Sequence, residues 1–93
     1  MNFEWDTDKE QLNIKKHHLD FSTAALVFGD KNRLVKYDEN HSLDEDRYIT
    51  IGSVKGFITI LFVVYTETAN TIRIISARKA NKIEKEEYYH ANN

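Results

Sequence analysis

A near-continuous apolar run, Phe57 to Tyr65, constrains this chain more than any other feature. It is rich in β-branched residues and falls well short of the roughly 20 residues that a membrane-spanning helix needs. It therefore reads as the central strand of a sheet, buried on both faces. The segments around it are also β. Arg47 to Ile51 alternates, with Ile49 and Ile51 on the face of Arg47, and Leu34 to Tyr37 is a shorter strand. Gly52 to Gly56 is a hairpin connection, Ala69-Asn70 a turn, and Thr71 to Ser76 a further strand. Short connections of this kind make neighbouring strands antiparallel.

The ends of the chain are helical. Phe3 and Trp5 belong to a short edge strand. Thr7 and Glu10 then have capping-box spacing, with Asp6 a competing cap, so a helix runs to His17 or His18. Its apolar stripe is thin, chiefly Leu12 and Ile14. Phe21, Ala24, Ala25 and Phe28 fall at helical spacing, with Asp20 or Ser22 as cap and Gly29 as the stop. A charged terminal helix spans Lys79 to about Tyr89, with a frayed tail from about His90. Ninety-three residues leave room for one domain, residues 1–93. The fold class is α+β: an antiparallel sheet of three to four strands with helices packed against it.

The segment Arg73-Ile74-Ile75-Ser76-Ala77-Arg78-Lys79-Ala80 begins as an apolar strand and ends in a basic cluster where a helix is expected. Guanidinium groups there suit an anion such as phosphate. The net charge of −2 argues against bulk nucleic-acid binding, so any such site must come from local placement of charge. Acids concentrate at 38–46, whereas Lys and Arg recur in 9–16, 31–36 and 73–85. Cysteine is absent, which excludes disulfides and thiolate metal sites. His17 and His18 are adjacent and diverge by about 100° on a helix, so they do not chelate as a pair. No metal or cofactor is expected. The polar, acidic start, unlike a signal peptide, points to a cytoplasmic protein with no membrane contact.

Three blocks together resemble the BrnT family of type II toxins. The first is Phe3-Glu4-Trp5-Asp6-x-x-Lys9-x-x-x-Asn13-x-x-Lys16-His17, followed by Phe21. The second is His41-x-x-x-Glu45-x-Arg47-x-x-x-Ile51-Gly52. The third is Tyr65-Thr66-Glu67, then Arg73 to Ala80, Glu84 and Tyr88. The resemblance implies a compact RelE-like endoribonuclease that inhibits growth. It also implies neutralisation by a BrnA-type ribbon-helix-helix antitoxin, with operator DNA reached only through that antitoxin. The alternative is a non-catalytic RNA- or protein-binding module acting as co-repressor.

Metal-independent RNA cleavage needs a proton acceptor for the 2′-hydroxyl, charge stabilisation at phosphorus and help for the leaving 5′-oxygen. His17 is the first proton-transfer candidate, although a histidine at that position also complements a helix C-terminus. Arg73 and Arg78 are phosphate candidates. Five residues apart, they point to opposite faces of a regular strand and share a site only if the strand ends near Ser76. Arg47 and Glu45 complete the catalytic candidates, each with a salt-bridge alternative. His41 lies in a polar loop. Lys9, Lys16 and Lys79 are RNA-binding candidates, and Tyr88 and Tyr89 are candidate antitoxin contacts.

Overall fold

The computed structural model describes residues 1–54 and 59–92. The expected Gly52 to Gly56 hairpin and the start of the apolar run lie partly outside the described residues. Five strands form one sheet in the order β1-β5-β4-β3-β2. They are β1 (Asn2–Trp5), β2 (Leu34–Tyr37), β3 (Tyr48–Ser53), β4 (Ile60–Thr68) and β5 (Thr71–Lys79). Helix α1 (Thr7–His17) follows β1. Helix α2 (Phe21–Ala25) continues as a 3₁₀ turn, Leu26–Gly29, and α3 (Lys82–Ala91) closes the chain. β4 is the middle strand, as the apolar run requires.

Two expectations are corrected. The sheet has five strands rather than three to four, and it is mixed rather than antiparallel. β2, β3, β4 and β5 pair antiparallel, while the edge strand β1 pairs parallel to β5, Phe3 opposite Ile72 and Trp5 opposite Ile74. The RelE-like outline with three to four antiparallel strands, implied by the resemblance, is thus not matched as stated. The second correction concerns the basic cluster. β5 runs on through Arg78 and Lys79, because Leu61 and Phe62 of β4 extend far enough to pair with them. The helix begins only at Lys82, behind an Asn81 capping box that uses Glu84.

One face of the sheet carries Leu61, Val63, Tyr65, Ile72, Ile74 and Ala77, buried under Phe21, Ala24 and Val27. The aromatic rings of Trp5 and Phe21 meet edge to face there. On the opposite face, Ile51, Ile60, Ala80 and Tyr88 form a smaller core under α3. Phe62 and Val64 are only partly buried. The far half of that second face is therefore open, against the expectation of a central strand covered throughout on both sides.

A bulge in β5 decides what that open half displays. Val64 pairs with Ser76, but Tyr65 pairs with Ile74, so Ile75 has no partner. One extra residue inverts the alternation beyond it. Arg73 lies opposite Thr66 and Arg78 opposite Phe62, both on the second face. The two arginines thus share a face through a bulge, not through an early strand end.

Beyond Trp5, the outer edge of β5 has no strand beside it among the described residues. Asn13 of α1 takes that place. Its side-chain Nδ2 donates to the Ala77 carbonyl at 2.9 Å, and its Oδ1 accepts from the Ala77 N–H at 3.1 Å. The same Nδ2 donates to the Leu19 carbonyl, fixing the turn into α2. Asn13 and Ala77 are both buried. Asn13→Leu removes these partners without shrinking the side chain. We expect a loss of about 2–3 kcal/mol, the cost of orphaning two buried backbone groups, in urea unfolding. A loss below about 0.5 kcal/mol would show that water takes over the role of the amide.

Candidate active site

The connection between β2 and β3 is a loop closed at its neck. The Asp38 N–H donates to the Arg47 carbonyl at 2.9 Å, one step beyond the paired Tyr37 and Tyr48. Ser42 braces the interior: its hydroxyl donates to the Asp38 carbonyl at 2.6 Å and accepts from the Arg47 N–H at 2.9 Å. The Asp38 side chain is buried, and both its oxygens lie 3.1 Å from Nδ1 of His41. The His41 side chain itself is 68% exposed. A carboxylate on Nδ1 fixes the ring and leaves Nε2 for proton transfer.

This loop overhangs the open half of the second sheet face. A cleft of about 430 Å³ lies between them, lined among others by Asp38, His41, Arg47, Phe62, Ile75 and Ser76. Among the described residues the Arg47 guanidinium has no ion-pair partner. The cleft therefore combines a held imidazole with an uncommitted cation, which suits a phosphate whose substituents exchange protons.

The residues singled out in the sequence are spread over several places. Arg47 lines this cleft. Glu45 is exposed and borders a smaller recess that also touches His41 and Arg47. Lys9, Lys16 and His17 line a separate cleft along α1, which meets the first at Ile75 and Ser76. Arg73 is exposed beside Glu4 and Trp5, in a shallow recess of its own outside the cleft. Arg78 is engaged: Nη1 and Nη2 bond Glu84 at 2.8 and 2.9 Å, and its guanidinium lies 3.9 Å from the centre of the Phe62 ring. It is committed to α3 and backs Phe62, a lining residue of the cleft, rather than standing in the cleft as a free ligand. Lys79 is exposed at the end of β5.

Tyr88, expected as a surface anchor for a partner, is instead a core residue. It is 7% exposed, and its hydroxyl donates to Asp30 at 2.6 Å. Contact with a partner would require α3 to leave the sheet. Tyr89 is 52% exposed and available. Two residues of the cleft had no assigned role. Ser76 sits inside the third sequence block without a distinguishing signal. Asp38 stands three residues before His41, a spacing that joins them in the short 3₁₀ turn Glu39–His41.

Electrostatics tie α3 down. The bond from Arg78 holds the Glu84 carboxyl below the usual range, against partial burial that pushes it up. Burial also pushes Asp30 upward, but donors from Tyr88 and from the Ser53 and Asn32 backbones outweigh it, so it too lies low. Burial and the Asp30 bond raise the Tyr88 phenol. Lys36 adds an exposed tether to Glu87.

A family model described as the ribonuclease toxin, BrnT, of type II toxin–antitoxin systems matches residues 5–84. The crystal structure of the Brucella abortus ribonuclease toxin BrnT is similar, with a TM-score of 0.63 and 28% sequence identity. That similarity covers 88% of this chain and 99% of the Brucella chain. No curated protein sequence matches the chain.

Asp30 and Glu84 both ionise more readily when folded. Their contribution is therefore present above the unfolded carboxylate range, near pH 4, and is lost as pH falls through the folded values. Glu84→Gln should cost about 1–2 kcal/mol at neutral pH, discounted for the partial exposure of Arg78. The gap to wild type should narrow as the pH is taken from neutral to about 3. Urea titrations at the two pH values check this, and an unchanged gap would place the loss in the helix cap alone.

Proposed function

The chain belongs to the BrnT family of ribonuclease toxins of type II toxin–antitoxin systems, and we propose that it cleaves RNA in the cleft between the 38–47 loop and the sheet. The observation that carries this reading is the His41 imidazole, held through Nδ1 by the buried Asp38 carboxylate in the cleft that also contains Arg47. In the reaction the 2′-hydroxyl gives up its proton and its oxygen attacks phosphorus. The bond from phosphorus to the 5′-oxygen breaks, and that oxygen takes a proton. The products are a 2′,3′-cyclic phosphate and a free 5′-hydroxyl.

His41 Nε2 serves proton transfer. Arg47 stabilises the charge that builds on the phosphate oxygens. Glu45, beside both, is the alternative base. Arg78 shapes the wall over Phe62, and Arg73 meets the strand further along the same face. This chemistry asks for proton transfer and charge stabilisation, which side chains supply, so we propose that it proceeds without a metal. The cellular consequence is growth inhibition, relieved by a BrnA-type antitoxin that docks in part through Tyr89.

Purified protein incubated with end-labelled single-stranded RNA in excess chelator tests the reading. His41→Ala and Arg47→Ala should each slow cleavage by about 10²-fold or more with the fold intact, as loss of a general acid–base or oxyanion group does. Asp38→Asn should lower kcat with little change in KM, because it alters what holds the ring rather than what holds RNA. Full activity of His41→Ala would overturn the assignment. RNA bound but uncut by wild type would favour the co-repressor reading.

A further inference from the structure

We propose that the cleft along α1 is a second nucleotide subsite, which holds the phosphate and unpaired base next to the scissile one. The inference rests on the cleavage reading above and names its substrate as single-stranded RNA. The cleft measures about 310 Å³, at the lower end of the roughly 300–1,000 Å³ range of small-molecule sites.

Three observations point to this occupant. The cleft shares Ile75 and Ser76 with the His41–Arg47 cleft, so a strand that leaves the cleavage site over the β5 bulge enters it directly. Lys9, Leu12 and Lys16 stand at i, i+3 and i+7 on one face of α1, with His17 beside them. Neither lysine has an ion-pair partner among the described residues. The nearby acids of α1 are engaged in part: Asp6 caps the helix through the Lys9 N–H, and Glu10 accepts from the Phe21 N–H. Leu12, between the two ammonium groups, is 67% exposed and covers no core. An apolar surface flanked by cations suits a base and its phosphate, and a base reaches such a surface only when unpaired.

Asn13 stands on the same stripe of α1, lines the cleft and bonds the β5 backbone, and so fixes the helix face that carries these residues against the sheet. The bulge sets the other wall. The geometry therefore assigns Lys9, Lys16 and His17 to holding the substrate, while His41 and Arg47 face the reacting phosphate. A dinucleotide fills only the cleavage site, whereas a longer strand fills both clefts.

The test compares a dinucleotide with a single-stranded oligonucleotide as substrates for wild type and for Lys9→Ala/Lys16→Ala. With the oligonucleotide, KM should rise about tenfold, kcat should hold within about two-fold, and the salt dependence should weaken by somewhat more than one unit of slope. Dinucleotide kinetics should be unchanged. An equal effect on both substrates, or none on either, overturns the subsite. So does loss of dinucleotide kcat in His17→Ala, which would make His17 a catalytic residue. Fluorescence anisotropy of the oligonucleotide on the same proteins separates the two proposals. If wild type cuts neither substrate, the cleavage reading fails, while an affinity loss confined to the oligonucleotide still supports the subsite. An unchanged affinity overturns it.

Discussion

The Asn13 amide on the Ala77 backbone is the interaction on which the rest depends. β5 has β4 on one side along its whole length, but β1 beside it only as far as Ile74. At Ala77 the remaining edge is buried, and a buried backbone group without a partner costs about 1–3 kcal/mol. One carboxamide offers a donor and an acceptor in the geometry of a strand neighbour, so a helix can end the sheet where a strand would otherwise be needed. That choice brings α1 against the β5 bulge, and the two clefts meet there. A sixth strand at this edge would satisfy the same groups and close off the α1 cleft.

The charge pattern follows from the same arrangement. A net charge of −2 gives no general attraction for nucleic acid. The cations that border the clefts are not neutralised by ion pairs among the described residues. Arg78 is consumed by Glu84 and Lys36 by Glu87, both in holding α3. Arg47, Lys9 and Lys16 are left without ion-pair partners among the described residues, and all three border the clefts beside Ile75 and Ser76. Counting charges along the chain could not separate these classes, because the separation depends on which acid reaches which base.

The parts of the fold set by local pattern were legible. Phe21 and Ala24 repeat at helical spacing, and Ile60 to Tyr65, within the described part of the apolar run, occupy the centre of the sheet. Features set by distant partners were not. The bulge at Ile75 exists only because of where β4 pairs, and it reverses the inference that Arg73 and Arg78 face apart. Asn13 reads as one more polar residue on an exposed helix, since its partner lies 64 positions away. The end of β5 was misplaced because basic residues suit a helix as well as a strand end. The Asn81-x-x-Glu84 capping signal was present, two residues beyond the strand that β4 extends. The site was half legible: Arg47, Glu45 and His41 came from one block, but the buried carboxylate that holds His41 came from pairing at the loop neck.

Helix α3 is not independent of the cleft. Its apolar seat is small, with Tyr88 the one buried side chain of the helix, so polar tethers carry much of the docking. The strongest of them, Arg78–Glu84, uses a guanidinium stacked on Phe62, and Phe62 is also a cleft wall. Glu84 in turn caps the helix by accepting from the Asn81 N–H at 2.9 Å. One carboxylate thus starts the helix, fixes the arginine and thereby sets the ring that bounds the cleft. Stability of α3 and shape of the cleft must change together at this position, whereas at Lys36 or Glu87, both exposed and neither lining the cleft, the helix tether can weaken while the cleft keeps its form.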